Sequence, residues 1–320
     1  MEKISVGVIG VGRLGRFHAL KYAANDRADL VGVYDMDGKA ASKVAGETGS
    51  TAFSNIEELL SKVDAVSVAV FTDSHYVVGL QVLEDAKHML VEKPITSRSE
   101  QARELVAIAE KKNLVLQVGH IERFNPAVRA LHGIKINPRF VEAHRLAPYS
   151  ARGADVSVVH DLMIHDIDVL LHWMGNEIER VDASGVPVIT DAPDIANARI
   201  SFSGKRAANL TASRISLKRM RKFRIFQEDA YISVDFEKRS AHIYQQVPKG
   251  TPKSMPIPGA LDSDIRVLAK KTRAKKDDDA LSREIDAFLV SIQTGKPAFV
   301  TGKEALPALE LVEEIARQCE

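Results

Sequence analysis

Between Ile4 and Leu116 short apolar runs alternate with stretches whose apolar residues return every three to four positions, the pattern of strands separated by helices. The runs Ile4–Ile9, Leu30–Tyr34, Ala65–Val70, His88–Val91 and Val115–Val118 predict strands. Leu14–Ala24, Gly38–Thr48, Ile56–Ser61, Tyr76–Asp85 and Ser99–Lys112 predict the helices among them. Val66-Ser67-Val68-Ala69-Val70 is nearly continuous in apolar character, as expected of a parallel strand buried on both faces. After Gly119 the pattern changes. One strong helix, Val156–Met174, precedes the β-rich runs Arg180–Ile189, Ala198–Ser203, Ala207–Ser213, Phe223–Gln227, Tyr231–Phe236 and Ala241–Gln245, whose short turns predict antiparallel order. Val247–Pro258 carries four prolines and reads as a loop or edge segment. Leu281–Thr294 and Lys303–Gln318 are the closing helices. The expected architecture is an α/β domain over residues 1–120, then an α+β domain over 121–320 with a large open, mostly antiparallel sheet; helix 303–318 packs on either one.

Composition narrows the function. The 320 residues suit two domains, and 45% hydrophobic with 27% charged residues is the balance of a globular protein. A net charge of +1 supplies no field to recruit nucleic acid or an anionic membrane. Cys319 is the only cysteine, which excludes an intrachain disulfide and a cysteine metal cage and suits a reducing cytoplasm. The chain runs from Met1 straight into a strand pattern, so no signal peptide is expected, and no apolar run approaches the ~20 residues of a membrane span.

Gly10-Val11-Gly12-Arg13-Leu14-Gly15 is a G-x-G-x-x-G pattern set between a predicted strand and a predicted helix. There the glycines permit a tight turn and let backbone N–H groups approach a pyrophosphate at the helix N-terminus. Asp35 closes the second strand twenty residues past Gly15, where an acidic side chain would accept from a ribose 2′-OH. A carboxylate there favours NAD over NADP, and Met36 and Asp37 offer no cation to a 2′-phosphate.

Glu92-Lys93-Pro94 follows a strand of this domain and so falls at the carboxyl edge of the sheet, where ligands bind. The Lys93 ammonium can hydrogen-bond a substrate hydroxyl and stabilise a developing alkoxide, or it is a surface cation paired with Glu92. Asp161 and His165 lie four apart on the predicted helix and share a face that Asp168 and His172 extend; Met163, Ile167, Leu170, Leu171 and Met174 form an apolar stripe. Three readings stand: a general base with its orienting carboxylate, a metal site with His160, or a solvated face. Gly119–Pro126 marks the domain junction, where Arg123 and Asn125 are candidate substrate contacts or merely part of a hinge. Basic clusters at Arg214, Lys218, Arg219, Arg221, Lys222 and Arg224 and at Lys270–Lys276 read as solvated edges or as contacts for a phosphorylated substrate.

Taken together, the glycine fingerprint with His18, Glu92-Lys93-Pro94, the pair Asp161 and His165, and the stretch Glu284–Pro297 resemble the glucose-fructose oxidoreductase, inositol dehydrogenase and rhizopine catabolism family of NAD(P)-dependent dehydrogenases. The resemblance implies a Rossmann domain followed by an open-sheet domain that makes homodimers or homotetramers. It also implies a catalytic set of Lys93, Asp161 and His165. Gly10, Gly12, Arg13, Leu14, Gly15, Asp35, Thr72, His75, Glu92 and Lys93 become the cofactor contacts, with Lys93, Arg123, Asn125, Asp161 and His165 facing substrate and no metal. Val118–Val128 and Val159–Asp168 are most similar to the branch that oxidises the C3 hydroxyl of UDP-N-acetylglucosamine ahead of transamination for lipid A or surface glycans. Other sugars or cyclitols, or a sensing protein that only binds NAD, remain alternatives. One departure is Phe71, where the family pattern has Pro.

Overall fold

The computed structural model describes residues 2–150, 157–256, 266–273 and 278–320. Val156, Ile257–Pro258 and Ala274–Asp277, which entered the expectations above, lie outside the described residues. The chain divides into two units, Met1–Ile121 with Asp279–Glu310 and Glu122–Asp278 with Leu311–Glu320.

The first unit alternates strand and helix: β1 (Ile4–Ile9), α1 (Arg13–Ala23), β2 (Ala28–Tyr34), α2 (Gly38–Thr48), β3 (Thr51–Ala52), α3 (Ile56–Leu60), β4 (Ala65–Val68), α4 (Thr72–Glu84), β5 (His88–Glu92), α5 (Ser99–Lys111) and β6 (Leu116–Gly119). The strands form a parallel sheet in the order β3-β2-β1-β4-β5-β6. Chain direction across this sheet reverses between β1 and β4, so the loops after β1, β2, β4 and β5 share the carboxyl edge where dinucleotides bind.

Through the second unit run α6 (Pro126–Arg129), β7 (Phe140–Leu146), a π-helical turn (Val159–Met163) continuing into α7 (Ile164–Met174), then β8 (Ile178–Val186), β9 (Ile195–Phe202), β10 (Arg206–Ser213), β11 (Met220–Phe226), β12 (Ala230–Asp235), β13 (Ser240–Val247), β14 (Met255–Pro256) and β15 (Arg266–Arg273). These strands make one sheet, β14-β15-β13-β12-β11-β7-β10-β9-β8, antiparallel except where β10 runs parallel to β7. Alternate residues of β7, β11, β12 and β13, among them Val141, Ala143, Phe223, Ile225, Ile232, Val234, Ala241 and Ile243, are buried, the period-two signature of a sheet with one covered face.

Two helices follow, α8 (Ala280–Thr294) and α9 (Gly302–Cys319). Expected in the second domain, α8 instead packs in the first unit, because Leu281, Ile285, Phe288 and Leu289 share a core cluster with Val6, Val8, Ala19 and Tyr22. The end of α9 belongs to the second unit, where Ala183 N–H donates to Gln318 Oε1 at 2.9 Å and Gln318 Nε2 donates to Val181 O at 3.1 Å. Among the described residues no helix is long and apolar enough to cross a membrane.

One carboxylate should make the second unit acid-sensitive. Asp194 is buried, and it accepts from Val188 N–H at 2.8 Å, Ile189 N–H at 2.6 Å, Thr190 N–H at 2.9 Å and the Thr190 hydroxyl at 2.9 Å. Burial works to raise its pKa, but these donors hold it well below the usual carboxylate range. A depressed carboxylate stabilises the fold above the unfolded-state pKa of about 4, and the contribution is lost as pH falls through and below that value. Asp194→Asn should therefore flatten the fall of Tm between pH 5 and pH 3, measured by thermal unfolding; an unchanged acid slope would show that other groups set it.

Candidate active site

The loop after β1 has the shape its glycines require. Gly10 sits at φ +84°, and a Cβ there would come within 2.7–2.8 Å of Val70 and of the Ala69 backbone; a Cβ on Gly15 would collide with the Gly10 carbonyl. Gly12, the residue before α1, faces open space at the Cβ position, which leaves room for a pyrophosphate against the N–H groups that open the helix. Its neighbours Arg13 and Leu14 are exposed and half-buried. Asp35 is oriented from both sides: Oδ2 accepts from Val11 N–H at 2.7 Å and Oδ1 from Asp37 N–H at 2.9 Å. Each oxygen keeps a lone pair for a ribose hydroxyl. These residues fit a nicotinamide dinucleotide. Thr72 opens α4, and Phe71, one position before it, is almost fully exposed.

Lys93 is half-buried just past β5, and its peptide bond to Pro94 is cis. The surrounding polar groups form a chain. Tyr22 and Ser67 share a 2.8 Å hydrogen bond, Ser67 faces His18 Nδ1 at 3.1 Å, and His18 Nε2 donates to Glu92 Oε1 at 2.9 Å. Burial pushes the Tyr22 phenol up, against its Ser67 hydrogen bond and with the Glu284 carboxylate adding to the shift, so it stays protonated. His75, expected at the cofactor, is 1% exposed, with Nδ1 2.8 Å from Pro94 O and Nε2 3.2 Å from Val70 O. Burial lowers its pKa despite the two carbonyls, and in the neutral ring the shorter contact marks Nδ1 as the donor.

Among the described residues the one group of metal-type ligands is His18, Glu92 and Glu284, with ligand atoms within 4.8 Å of one another. Both His18 nitrogens already face hydrogen-bond partners, and a metal would have to displace the 2.9 Å bond to Glu92.

In the second unit Asp161 falls inside the π-helical turn and His165 on the first turn of α7, so about one helical turn separates them and they share a face. Both are half-buried. The expected polar stripe is only partly solvated: His172 is exposed but Asp168 is buried, as is Asp166 outside the stripe, and each aspartate lies opposite an arginine. Asp166 receives Arg145 in a two-pronged bond, 2.9 Å on each oxygen, and Arg145 reaches Glu122 at 2.9 Å. Burial works against the Arg145 charge, and Asp166 and Glu122 more than offset it. Asp168 Oδ2 lies 3.8 Å from Arg123 Nε, too far for a hydrogen bond, with both side chains buried. Asn125 turns inward: it caps α6 through Ala127 N–H at 3.0 Å and donates to Glu122 at 2.9 Å and Phe236 O at 3.1 Å. Within the basic cluster Arg214 is buried, 3.8 Å from Asp194, whereas Arg224 pairs with Glu142 at 2.8 Å while partly exposed.

Residues 4–120 match the family model described as an oxidoreductase family with an NAD-binding Rossmann fold, and residues 128–233 match the GFO/IDH/MocA C-terminal domain. The chain is 41% identical over 312 residues, 96% of each sequence, to a UDP-N-acetylglucosamine 3-dehydrogenase of Acidithiobacillus ferrooxidans. A solved structure of that enzyme superposes with a TM-score of 0.91 at 39% identity, covering 100% of this chain and 98% of the other. An inositol 2-dehydrogenase of Rhizobium meliloti is 25% identical over 98% of this chain and 96% of its own. A levoglucosan dehydrogenase in complex with NADH and levoglucosan shares the fold, with a TM-score of 0.84 at 17% identity over 99% of this chain and 97% of the other.

Proposed function

The chain belongs to the GFO/IDH/MocA family of oxidoreductases, and from that premise we propose that it oxidises the C3 hydroxyl of UDP-N-acetylglucosamine to the 3-keto sugar with NAD as oxidant. The observation that carries the substrate is the full-length likeness to the Acidithiobacillus ferrooxidans enzyme, at 41% identity. In this reading Gly10, Gly12, Gly15 and Asp35 hold the dinucleotide, which when bound supplies the hydride acceptor. His165, oriented by Asp161, takes the hydroxyl proton. Lys93 hydrogen-bonds the reacting oxygen and stabilises negative charge as it develops there. Arg123, 3.8 Å from Asp168, is a candidate substrate contact, and Asn125 supports its turn by donating to Glu122, the residue before it. The product is an electrophilic ketone, which suits a following transamination.

The test is absorbance of the reduced nicotinamide with NAD and a panel of UDP-N-acetylglucosamine, free sugars and inositols, with an aminotransferase and its amino donor to draw off the ketone. Signal with UDP-N-acetylglucosamine alone supports the proposal, and turnover of an inositol in its place overturns it.

The preference for NAD over NADP is supported by the two-sided hold on Asp35, whose carboxylate would repel a 2′-phosphate. Asp35→Ser should shift the NAD/NADP ratio of kcat/KM by about tenfold or more toward NADP, the scale of a hydrogen bond to a charged group. An unchanged ratio would place the discrimination elsewhere.

An oligomer through the open sheet is supported by an aromatic ladder on the face opposite the core. Phe140, Phe226, Tyr231 and Tyr244 are cross-strand neighbours in register, with ring centroids 5.8, 5.0 and 5.8 Å apart. A cytoplasmic location accompanies the use of NAD and a nucleotide sugar.

A further inference from the structure

Lys93 has four rotatable side-chain bonds, so the placement of its ammonium begins with the direction in which the backbone launches it. A catalytic group must be held within about 0.5 Å and 10–20° of its working geometry. Here the main chain is gripped on both sides of the Lys93 Cα. On one side the Lys93 N–H faces Glu92 Oε2 at 3.3 Å. The other carboxylate oxygen is fixed by His18, and Gly119, in register on β6, leaves so little room that a Cβ would stand 3.0 Å from Oε2. On the other side His75, held in α4, donates from Nδ1 to Pro94 O at 2.8 Å and ties that carbonyl to the helix. Neither imidazole is exposed, so neither is placed to touch cofactor or substrate.

We propose that His75 and the His18–Glu92 pair are positioning residues for Lys93, a two-ended clamp on the Lys93–Pro94 main chain that aims the ammonium at the reacting oxygen. The proposal rests on the catalytic reading of Lys93. Misplacing a group by about 1 Å costs on the order of 10²-fold in rate, so loosening one end of the clamp should lower kcat by about 10- to 100-fold.

The experiment compares His75→Ala, His75→Asn, Glu92→Gln and Lys93→Ala with the wild-type enzyme, using whichever alcohol of the panel that enzyme oxidises, and titrates NADH binding in parallel. His75→Ala should lose kcat while still binding NADH at wild-type stoichiometry and Kd, and Glu92→Gln should lose kcat while still binding NADH at wild-type stoichiometry. The asparagine amide reproduces the Nδ1 donor and should restore most of the loss. A merely structural role predicts instead that NADH stoichiometry falls in step with kcat and that asparagine restores nothing. The clamp is overturned by that pattern, or if Glu92→Gln or His75→Ala keeps kcat within about threefold of wild type. Should His75→Ala fail to fold, His75→Asn and the near-isosteric Glu92→Gln decide. A fully active Lys93→Ala removes the catalytic reading itself; an inactive one beside an unimpaired His75→Ala removes only the clamp.

Discussion

Asp166→Ala should destabilise the second unit by about 3–5 kcal/mol, the cost of removing one partner from a buried ion pair. Arg145 is 2% exposed and stands at an inward-facing position of β7, where the strand pattern otherwise places Val141 and Ala143. Its charge is met by Asp166 on two nitrogens and by Glu122 on a third, and its guanidinium lies 5.4 Å from the Phe236 ring. Without Asp166 most of that charge has no counterpart, and water has no access to replace it. Trp173, the sole tryptophan, packs edge-on against Phe223 with ring centroids 5.5 Å apart, so its fluorescence reports unfolding of this unit directly. Urea titration followed at Trp173 should show the loss, and a change below about 1 kcal/mol would mean that Glu122 alone satisfies the arginine. Replacing both partners, Arg145→Met with Asp166→Leu, should cost less than the two single changes added together, because the charges of that pair vanish together and only Glu122 is left, with the Asn125 amide as its donor.

That network explains what the sequence concealed. Except for the two-residue β3, the strands and helices of the first unit are legible because the strands centre on short apolar runs and each connecting helix has its own period. β7 is not: Phe140-Val141-Glu142-Ala143-His144-Arg145-Leu146 places a charge at an inward position, and burial becomes visible only when Asp166 and Glu122 arrive from distant segments. β15 is hidden for a related reason, since Arg-Val-Leu-Ala-Lys-Lys-Thr-Arg reads as a basic surface run until it pairs with β13. The π-helical turn under Asp161 leaves no trace in residue types. Asp168 reads as part of a polar helix face because its arginine comes from the turn before α6. Within the candidate site, the glycines, Asp35, Lys93, Asp161 and His165 are marked by local spacing. The inward roles of His75 and Asn125 depend on carbonyls and carboxylates that only the fold supplies.

Lys93→Ala should lower kcat by about 10²-fold or more, some 2.7 kcal/mol of transition-state stabilisation, while NADH affinity stays near that of the wild type. The separation follows from the proposed layout of the first unit, in which the loop after β1 and Asp35 would hold the dinucleotide, whereas Lys93 extends from the loop after β5. A loss shared equally between kcat/KM and NADH binding would place Lys93 in cofactor binding; near-normal turnover would remove it from the chemistry. The same variant separates the two candidates for the base. Whichever side chain takes the hydroxyl proton must be unprotonated first, so kcat/KM falls as pH drops through its pKa, and that acid limb belongs to the base. With His165 as base, Lys93→Ala keeps the acid limb at a lower plateau and His165→Asn abolishes it. The reverse pattern would assign the proton to Lys93 and leave His165, beside Asp161, to orient the sugar.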